Sequence, residues 1–169
     1  MNMLNKTAKQ LHNKLIKHKI TIAVAESCTG GLLSSLLTKY PGASAYFLLG
    51  VVAYSNNSKK KILGIPEKII NKYGAVSNKV ALLMARNIRK KINADFGISI
   101  TGIASPVNAQ HFYGAGPTGA TAIKPKGTVY IGLSFKNKTF SRLFLFPGRR
   151  EDIRKHAALK AMRILSANL

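Results

Sequence analysis

The spacing of apolar residues switches between helical and strand periods along the chain and predicts an α/β order of elements. Near the N-terminus, apolar residues recur every three or four positions, as on one face of a helix, at Leu4, Ala8, Leu11 and Leu15. Apolar and β-branched runs predict five strands, over Ile20–Glu26, Ala45–Tyr54, Asp95–Thr101, Gly127–Phe135 and Lys138–Phe146. Helical spacing predicts further helices over Leu32–Tyr40, Glu67–Tyr73, Asn78–Ile92 and Arg149–Asn168.

This order predicts a single α/β domain of three layers, in which a mixed β-sheet is flanked by helices. The strand Ala45–Tyr54 is mostly apolar, so we expect it to be buried on both faces. The last two strands are separated only by Lys136-Asn137, which predicts an antiparallel hairpin. No break in composition divides residues 1–169, and the Gly-, Pro- and Ala-rich segment Ala104–Lys126 is expected to be a long loop.

The charge of the chain is strongly positive, since 27 Lys and Arg face five Asp and Glu and give a net charge of +22. This excess predicts weak, salt-sensitive, non-specific binding of polyanions such as nucleic acid. The lysines are spread along the chain rather than clustered, which codon bias would also produce. Five acids and four histidines without metal-ligand spacing do not favour a metal centre or a paired-carboxylate glycosidase.

The single cysteine, Cys28, excludes a disulfide within the chain and a cysteine-based zinc site. The longest apolar stretch, Phe47–Tyr54, is too short to span a membrane, and no secretory signal opens the chain. We therefore expect a cytoplasmic protein without a membrane partner.

The first candidate site is the segment A-E-S-C-T-G-G at Ala25–Gly31, which joins the end of a predicted strand to the start of a helix. Ligands of open α/β sheets bind at that edge, where backbone N–H groups and the helix dipole favour an anion. The position of Ser27 alone leaves two roles open, a nucleophile or a helix cap. Cys28 is the rival nucleophile, but adjacent side chains of an extended chain point to opposite faces, so we interpret it as a small buried residue.

The second candidate site follows the next predicted strand, where Tyr54 to Ser58 lead into Lys59. A serine nucleophile needs a base, and no histidine occupies a comparable strand end. A lysine can act as that base when burial and neighbouring cations such as Lys60 and Lys61 keep it neutral. The alternative interpretation of Lys59 is a surface lysine whose charge is solvated.

Further candidates lie at two other turns. Thr101 and Gly102 end the third predicted strand, and Gly116 lies in the glycine-rich loop beyond it. Arg150 lies at the start of the last helix, where its guanidinium and the helix dipole would attract a phosphate, or where it forms a solvated pair with nearby acids. The G-x-G-x-x-G pattern at 114–119 follows no apolar strand, so we reject a dinucleotide-binding fold.

Seven short motifs occur in one order along most of the chain. They are A-E-S-C-T-G-G at Ala25–Gly31, P-G-A-S-A-Y-F at Pro41–Phe47, G-V-V-A-Y-S-N at Gly50–Asn56, L-G-I-P at Leu63–Pro66, Y-G-A-V-S at Tyr73–Ser77, T-G-I at Thr101–Ile103 and G-T-V-Y at Gly127–Tyr130. Together they resemble the CinA C-terminal domain family, whose stand-alone members are the PncC-type nicotinamide-nucleotide amidases. The resemblance runs from about residue 11 to residue 165.

The resemblance implies hydrolysis of nicotinamide mononucleotide to nicotinate mononucleotide and ammonia, without a cofactor. It implies a nucleophile at Ser27, a base at Lys59 and a supporting tyrosine at Tyr54. We expect the small-molecule nucleotide to contact Thr29, Gly30, Gly31, Thr101, Gly102, Gly116 and Arg150. The resemblance and the apolar strand edges also favour a homo-oligomer, a dimer or larger.

The sequence departs from the family pattern around this expected pocket. Residues 104–114 form an apparent insertion before Ala115-Gly116-Pro117, and Arg149 replaces an acid. These changes leave two alternatives open beside the amidase: a family member whose activity is lost or altered, and a basic nucleic-acid-binding protein.

Overall fold

The computed structural model describes residues 3–105 and 124–169, in which five strands form one mixed sheet. The strands are β1 (Ile22–Glu26), β2 (Phe47–Val52), β3 (Phe96–Gly102), β4 (Thr128–Phe135) and β5 (Lys138–Leu145). Their order across the sheet is β2-β1-β3-β4-β5, with β1 parallel to both neighbours and the last three strands antiparallel. The predicted mixed sheet and its C-terminal hairpin are confirmed.

Helices cover both faces of the sheet. They are α1 (Met3–His18), α2 (Leu32–Leu37), α3 (Asn56–Lys61), α4 (Glu67–Tyr73), α5 (Asn78–Lys91) and α6 (Arg150–Ser166), and a 3-10 turn spans Ala43–Ala45. One apolar core lies between the sheet and α1, α2 and α6, and a second lies between the sheet and α4 and α5. Burial of apolar side chains on both faces produces the three-layer α/β fold predicted from the order of elements.

Helix α5 packs unusually close to the centre of the sheet because glycines face it. A Cβ atom built on Gly97 would lie 2.1 Å from the carbonyl oxygen of Ala85, and one on Gly132 would lie 2.5 Å from that of Ala81. Ser77 caps the helix by accepting a hydrogen bond from the Val80 N–H, as a serine before an amphipathic segment predicts. This close contact fixes the position of α5 on the face of the sheet formed by β3 and β4.

The second strand differs from its prediction. The segment Ala45–Tyr54 was expected to be buried on both faces, but β2 is an edge strand whose residues alternate between half-buried and exposed. Leu48 and Val52 remain 41% and 46% exposed. An apolar run does not reveal whether both of its edges are paired, so the sequence overestimated the burial of this strand.

Several helix boundaries also differ from their predictions. The helix predicted over Leu32–Tyr40 ends at Leu37, and the short helix α3 was not predicted. The expected insertion at 104–114 lies almost wholly outside the described residues, so a single domain over 1–169 stays a prediction. Among the helices described, none combines the length and the apolar character that a membrane crossing requires.

Candidate active site

Ser27 follows the last residue of β1, at the edge of the sheet where the parallel strands β1, β2 and β3 end. The side chain is almost fully buried, at 4% exposure. Its Oγ atom lies 3.1 Å from the Nζ atom of Lys59. The two sequence candidates for nucleophile and base are therefore in hydrogen-bond contact, although 31 residues separate them along the chain.

Helix α3 places Lys59 beside Ser27. Ser55 begins this helix directly after β2, since its hydroxyl accepts a hydrogen bond from the Ser58 N–H at 3.0 Å. One turn later the Lys59 side chain is completely buried, and its Nζ donates to the carbonyl oxygens of Ala53 (2.9 Å) and Tyr54 (3.0 Å). Lys59 thus follows the second strand, as the sequence predicted, and lies on a short helix that the sequence did not predict.

Burial lowers the pKa of Lys59 from its ordinary value of 10.5 to about 8, because desolvation penalises the ammonium form. The neighbouring cations Lys60 and Lys61 are not the cause. A neutral amine has two N–H donors and one lone pair. As an ammonium, Lys59 donates to Ser27 Oγ and to the carbonyl oxygens of Ala53 and Tyr54. Once the amine is neutral, the two carbonyl oxygens match its two donors, and its lone pair can accept the hydroxyl proton of Ser27. This arrangement can transfer a proton between serine and lysine.

Cys28 points away from this pair. Its side chain is 5% exposed and lies in the core that α1, α2 and α6 cover. Burial raises the pKa of its thiol to about 12, with desolvation the largest cause. The thiol is therefore protonated at neutral pH and buried on the other face, as the alternation of side chains predicted.

The two glycines of the turn after Ser27 donate their N–H groups within the protein. The Gly30 N–H donates to the Ser27 carbonyl oxygen at 3.0 Å, and the Gly31 N–H donates to the Glu26 carboxylate at 3.1 Å. This corrects the expectation that the N–H groups of both glycines are free to hold a substrate anion. Glu26 was not predicted as a site residue, although it belongs to the A-E-S-C-T-G-G motif and is an acid shortly before a helix start.

Tyr54 and Arg150 lie together at the exposed rim of the site. The Tyr54 hydroxyl accepts a hydrogen bond from the Arg150 guanidinium at 2.9 Å, and the same guanidinium donates to Ser105 Oγ at 3.2 Å. Tyr54 contacts Lys59 through its backbone carbonyl, not through its ring. The segment after β2 is thereby connected to the beginning of α6.

Thr29 lies within the turn after Ser27 and is fully buried. Its carbonyl oxygen accepts two hydrogen bonds from the Arg154 guanidinium, at 2.8 and 3.1 Å. Its hydroxyl has no hydrogen-bond partner among the residues that the structure describes. Sequence reasoning missed Arg154, although its position one helical turn after Arg150 on the same helix could have revealed it.

Three more residues were predicted to contact the nucleotide, namely Thr101, Gly102 and Gly116. Thr101 is buried and donates its hydroxyl to the carbonyl oxygen of Ala75, on the face of the sheet that α5 covers. Gly102 lies against Cys28, whose sulfur would be 3.1 Å from a Cβ atom at that position. Gly116 lies outside the described residues.

The groups available to hold a ligand at this edge are cationic. Arg150 and Arg154 both point toward the site and bond only neutral oxygen atoms within the described residues. No three His, Cys, Asp or Glu side chains come together in residues 3–105 and 124–169. Two guanidinium groups of this kind can hold an anion.

The fold and the site together define an α/β domain with a buried serine–lysine pair at the carboxyl edge of its parallel strands. Residues 4–169 match the sequence family described as the CinA C-terminal domain. The chain belongs to this family.

Known proteins with similar sequences carry the same family name. The chain is 45% identical over 160 residues to a CinA-like protein of Leptospira biflexa, covering 94% of this chain and 36% of that protein. It is 46% identical over 151 residues to a CinA-like protein of Desulfotalea psychrophila, covering 89% of this chain. The chain spans about a third of the length of the curated relatives it matches, 34% in the second case.

Solved structures share the whole fold. A competence-damaged protein (CinA) superfamily protein from Escherichia coli superposes with a TM-score of 0.88 at 29% identity, covering 99% of this chain and 91% of the other. The competence/damage inducible protein CihA from Agrobacterium tumefaciens gives a TM-score of 0.89 at 29% identity, covering 99% and 96%.

Proposed function

We propose that this protein is an amidohydrolase that converts nicotinamide mononucleotide to nicotinate mononucleotide and ammonia by a serine–lysine mechanism. The observation that carries the proposal is the 3.1 Å contact between Ser27 Oγ and the Nζ of a fully buried lysine. Membership of the CinA family and the cationic groups at the site are consistent with a nucleotide substrate.

In the first half-reaction, neutral Lys59 accepts the Ser27 proton as Oγ attacks the carboxamide carbon. The carbon–nitrogen bond then breaks, and the Lys59 ammonium gives the proton to the departing amide nitrogen, which leaves as ammonia. The carbonyl oxygens of Ala53 and Tyr54 hold Nζ in place throughout, because they accept its other two hydrogens.

In the second half-reaction, water hydrolyses the ester on Ser27. Lys59 accepts a proton from the water as its oxygen attacks the acyl carbon, and it returns that proton to Ser27 Oγ as the ester bond breaks. The products are the original hydroxyl and a carboxylic acid, which loses its proton to solvent and becomes the carboxylate, so the cycle needs no cofactor.

The substrate phosphate is assigned to the cationic side of the site. Arg150 and Arg154 are the cations directed there, and neither bonds a carboxylate within the described residues. Thr29 has no exposed surface, so its hydroxyl is not part of this assignment. This assignment keeps the phosphate away from the turn whose glycine N–H groups are already bonded.

Ammonia release from nicotinamide mononucleotide by the purified protein tests the proposal. Wild type is expected to release ammonia, while Ser27→Ala and Lys59→Met lose at least about 1000-fold in kcat, since a nucleophile and its base act as a unit. Lys61→Met is the matched control, because Lys61 is exposed on the same short helix. No release by wild type, or full activity in Ser27→Ala, would refute the proposal.

Two further partner proposals follow from the surface. Both edge strands carry exposed apolar residues: Leu48 and Val52 on β2, and Leu143 and Leu145 on β5. Such residues favour a homo-oligomer, and light scattering measures the molar mass that decides this. Weak polyanion binding should fall steeply with salt and be indifferent to Ser27→Ala. Polyanion binding that persists where ammonia release is absent would favour the nucleic-acid-binding alternative.

A further inference from the structure

Glu26 is a buried acid whose hydrogen-bond partners are backbone N–H groups and one hydroxyl rather than a basic side chain. It is the last residue of β1 and has no exposed surface. Its Oε1 accepts hydrogen bonds from the Ser34 N–H (2.8 Å) and hydroxyl (2.6 Å), and its Oε2 accepts from the N–H groups of Gly31 and Leu33 (both 3.1 Å). No Lys or Arg of the described part of the chain pairs with it.

These four bonds connect the two ends of the turn that carries the nucleophile. Glu26 precedes Ser27 directly, and Gly31 and Leu33 lie at the start of α2, beyond the turn. Successive side chains of an extended strand alternate, so fixing Glu26 against α2 directs Ser27 to the opposite face, where Lys59 lies. The orientation of the serine hydroxyl therefore depends on where the Glu26 carboxylate is held.

We propose that Glu26 is a positioning residue for the nucleophile: its carboxylate, bonded across the turn to the start of α2, holds Ser27 Oγ within hydrogen-bond distance of Lys59. The proposal rests on the serine–lysine hydrolysis proposed above. Glu26 does not contact Lys59, so it acts through the backbone of the turn and not through the lysine.

The chemistry of the contacts requires a carboxylate. Two oxygens with four lone-pair directions match four donors. In Glu26→Gln the amide oxygen can keep the two bonds from Ser34, but the amide NH₂ then faces the N–H groups of Gly31 and Leu33, donor against donor. The turn would lose its connection at the Gly31 side.

Steady-state kinetics of Glu26→Gln and Glu26→Ala, with thermal melting of each variant, test the proposal. A small displacement of a reacting atom can cost about 100-fold in rate, so kcat should fall about 100-fold while KM stays within about twofold. Sodium formate should restore part of the lost kcat in Glu26→Ala, because the four vacated donors offer a place for a small carboxylate. It should not help Glu26→Gln, in which the amide fills that place.

Asp95→Asn is the matched control. Asp95 is also a carboxylate that accepts backbone and hydroxyl hydrogen bonds, from Thr21 N–H (2.8 Å) and Oγ1 (2.7 Å), but it lies next to the N-terminal ends of β1 and β3. This variant should melt at a lower temperature with kcat unchanged. A folded Glu26 variant with wild-type kcat, or a loss of kcat in folded Glu26→Ala that formate does not reduce, would overturn the proposal.

A substrate-independent measurement separates this proposal from the proposed function. Phenylmethanesulfonyl fluoride reacts with an activated serine, and mass spectrometry reports the rate at which Ser27 is modified. If wild type releases no ammonia yet its Ser27 is modified faster than that of Glu26→Gln, the amidase proposal fails and the positioning role stands. Equal rates in folded proteins would refute the positioning role, and this measurement also decides the matter if Glu26→Ala does not fold.

Discussion

Replacing Lys59 with methionine should change the pH dependence of stability in a way that isolates one buried amine. Methionine is of similar length and has no charge, so Lys59→Met removes the titration of this group and leaves the other lysines unchanged. It also leaves the carbonyl oxygens of Ala53 and Tyr54 without their donor, which costs free energy at every pH. Only the dependence on pH therefore reports the ionisation of Lys59.

The sign and size of the effect follow from the two pKa values. In the unfolded chain the lysine titrates at its ordinary 10.5, and in the folded protein at about 8. Between these values the unfolded chain binds a proton that the folded protein does not, so raising the pH stabilises wild type relative to the variant. Linkage gives about 3 kcal/mol over the whole window, and about 2 kcal/mol between pH 7 and pH 9.5.

Urea unfolding of wild type and Lys59→Met at several pH values between 7 and 9.5 measures this difference directly. The free energy of unfolding of wild type should rise relative to that of the variant by about 2 kcal/mol across the range. Lys61→Met, at an exposed position, should show no such trend against wild type. A difference between wild type and Lys59→Met that does not vary with pH would mean that the buried amine titrates normally, and Lys59 would not be neutral at the pH of the reaction.

Three further predictions concern the same site and its support. The value of kcat/KM should rise with pH and level off above about 8, the pKa of Lys59, and a profile flat from pH 6 to 9 would contradict a lysine base. Cys28→Ala should keep most of the ammonia release, and the native thiol should react with Ellman's reagent only on unfolding, because it is buried with its pKa raised to about 12. Gly97→Ala should destabilise the protein by about 2 kcal/mol or more in thermal melting, since its Cβ would lie 2.1 Å from a carbonyl oxygen of α5. The control Gly64→Ala meets nothing within 4 Å and should cost only about 1 kcal/mol, from its positive φ of 62°.

The local signals of the sequence were sufficient for the order of elements. Helix α5 was predicted to within one residue from its apolar stripe and the Ser77 cap, and α4 was predicted exactly. The hairpin of β4 and β5 was predicted from two apolar runs and a two-residue turn. These features depend on side-chain periodicity and capping, which act over a few neighbouring residues.

Other properties depended on segments far apart in the chain. The edge position of β2 could not be read from its apolar run, because pairing depends on which strands lie beside it. Glu26 fills the start of α2, a place that glycines and a helix start suggested for a substrate anion.

The sequence by itself determined that a serine follows the first strand and that a run of three lysines follows the second. The resemblance already pointed to Lys59, but only the tertiary structure shows how it differs from its neighbours: Lys59 is completely buried against Ser27, Lys60 pairs with Glu67 at the surface, and Lys61 is exposed. The physical reason is that a pKa depends on desolvation. Desolvation is set by the layers that pack around a side chain, not by its neighbours in sequence.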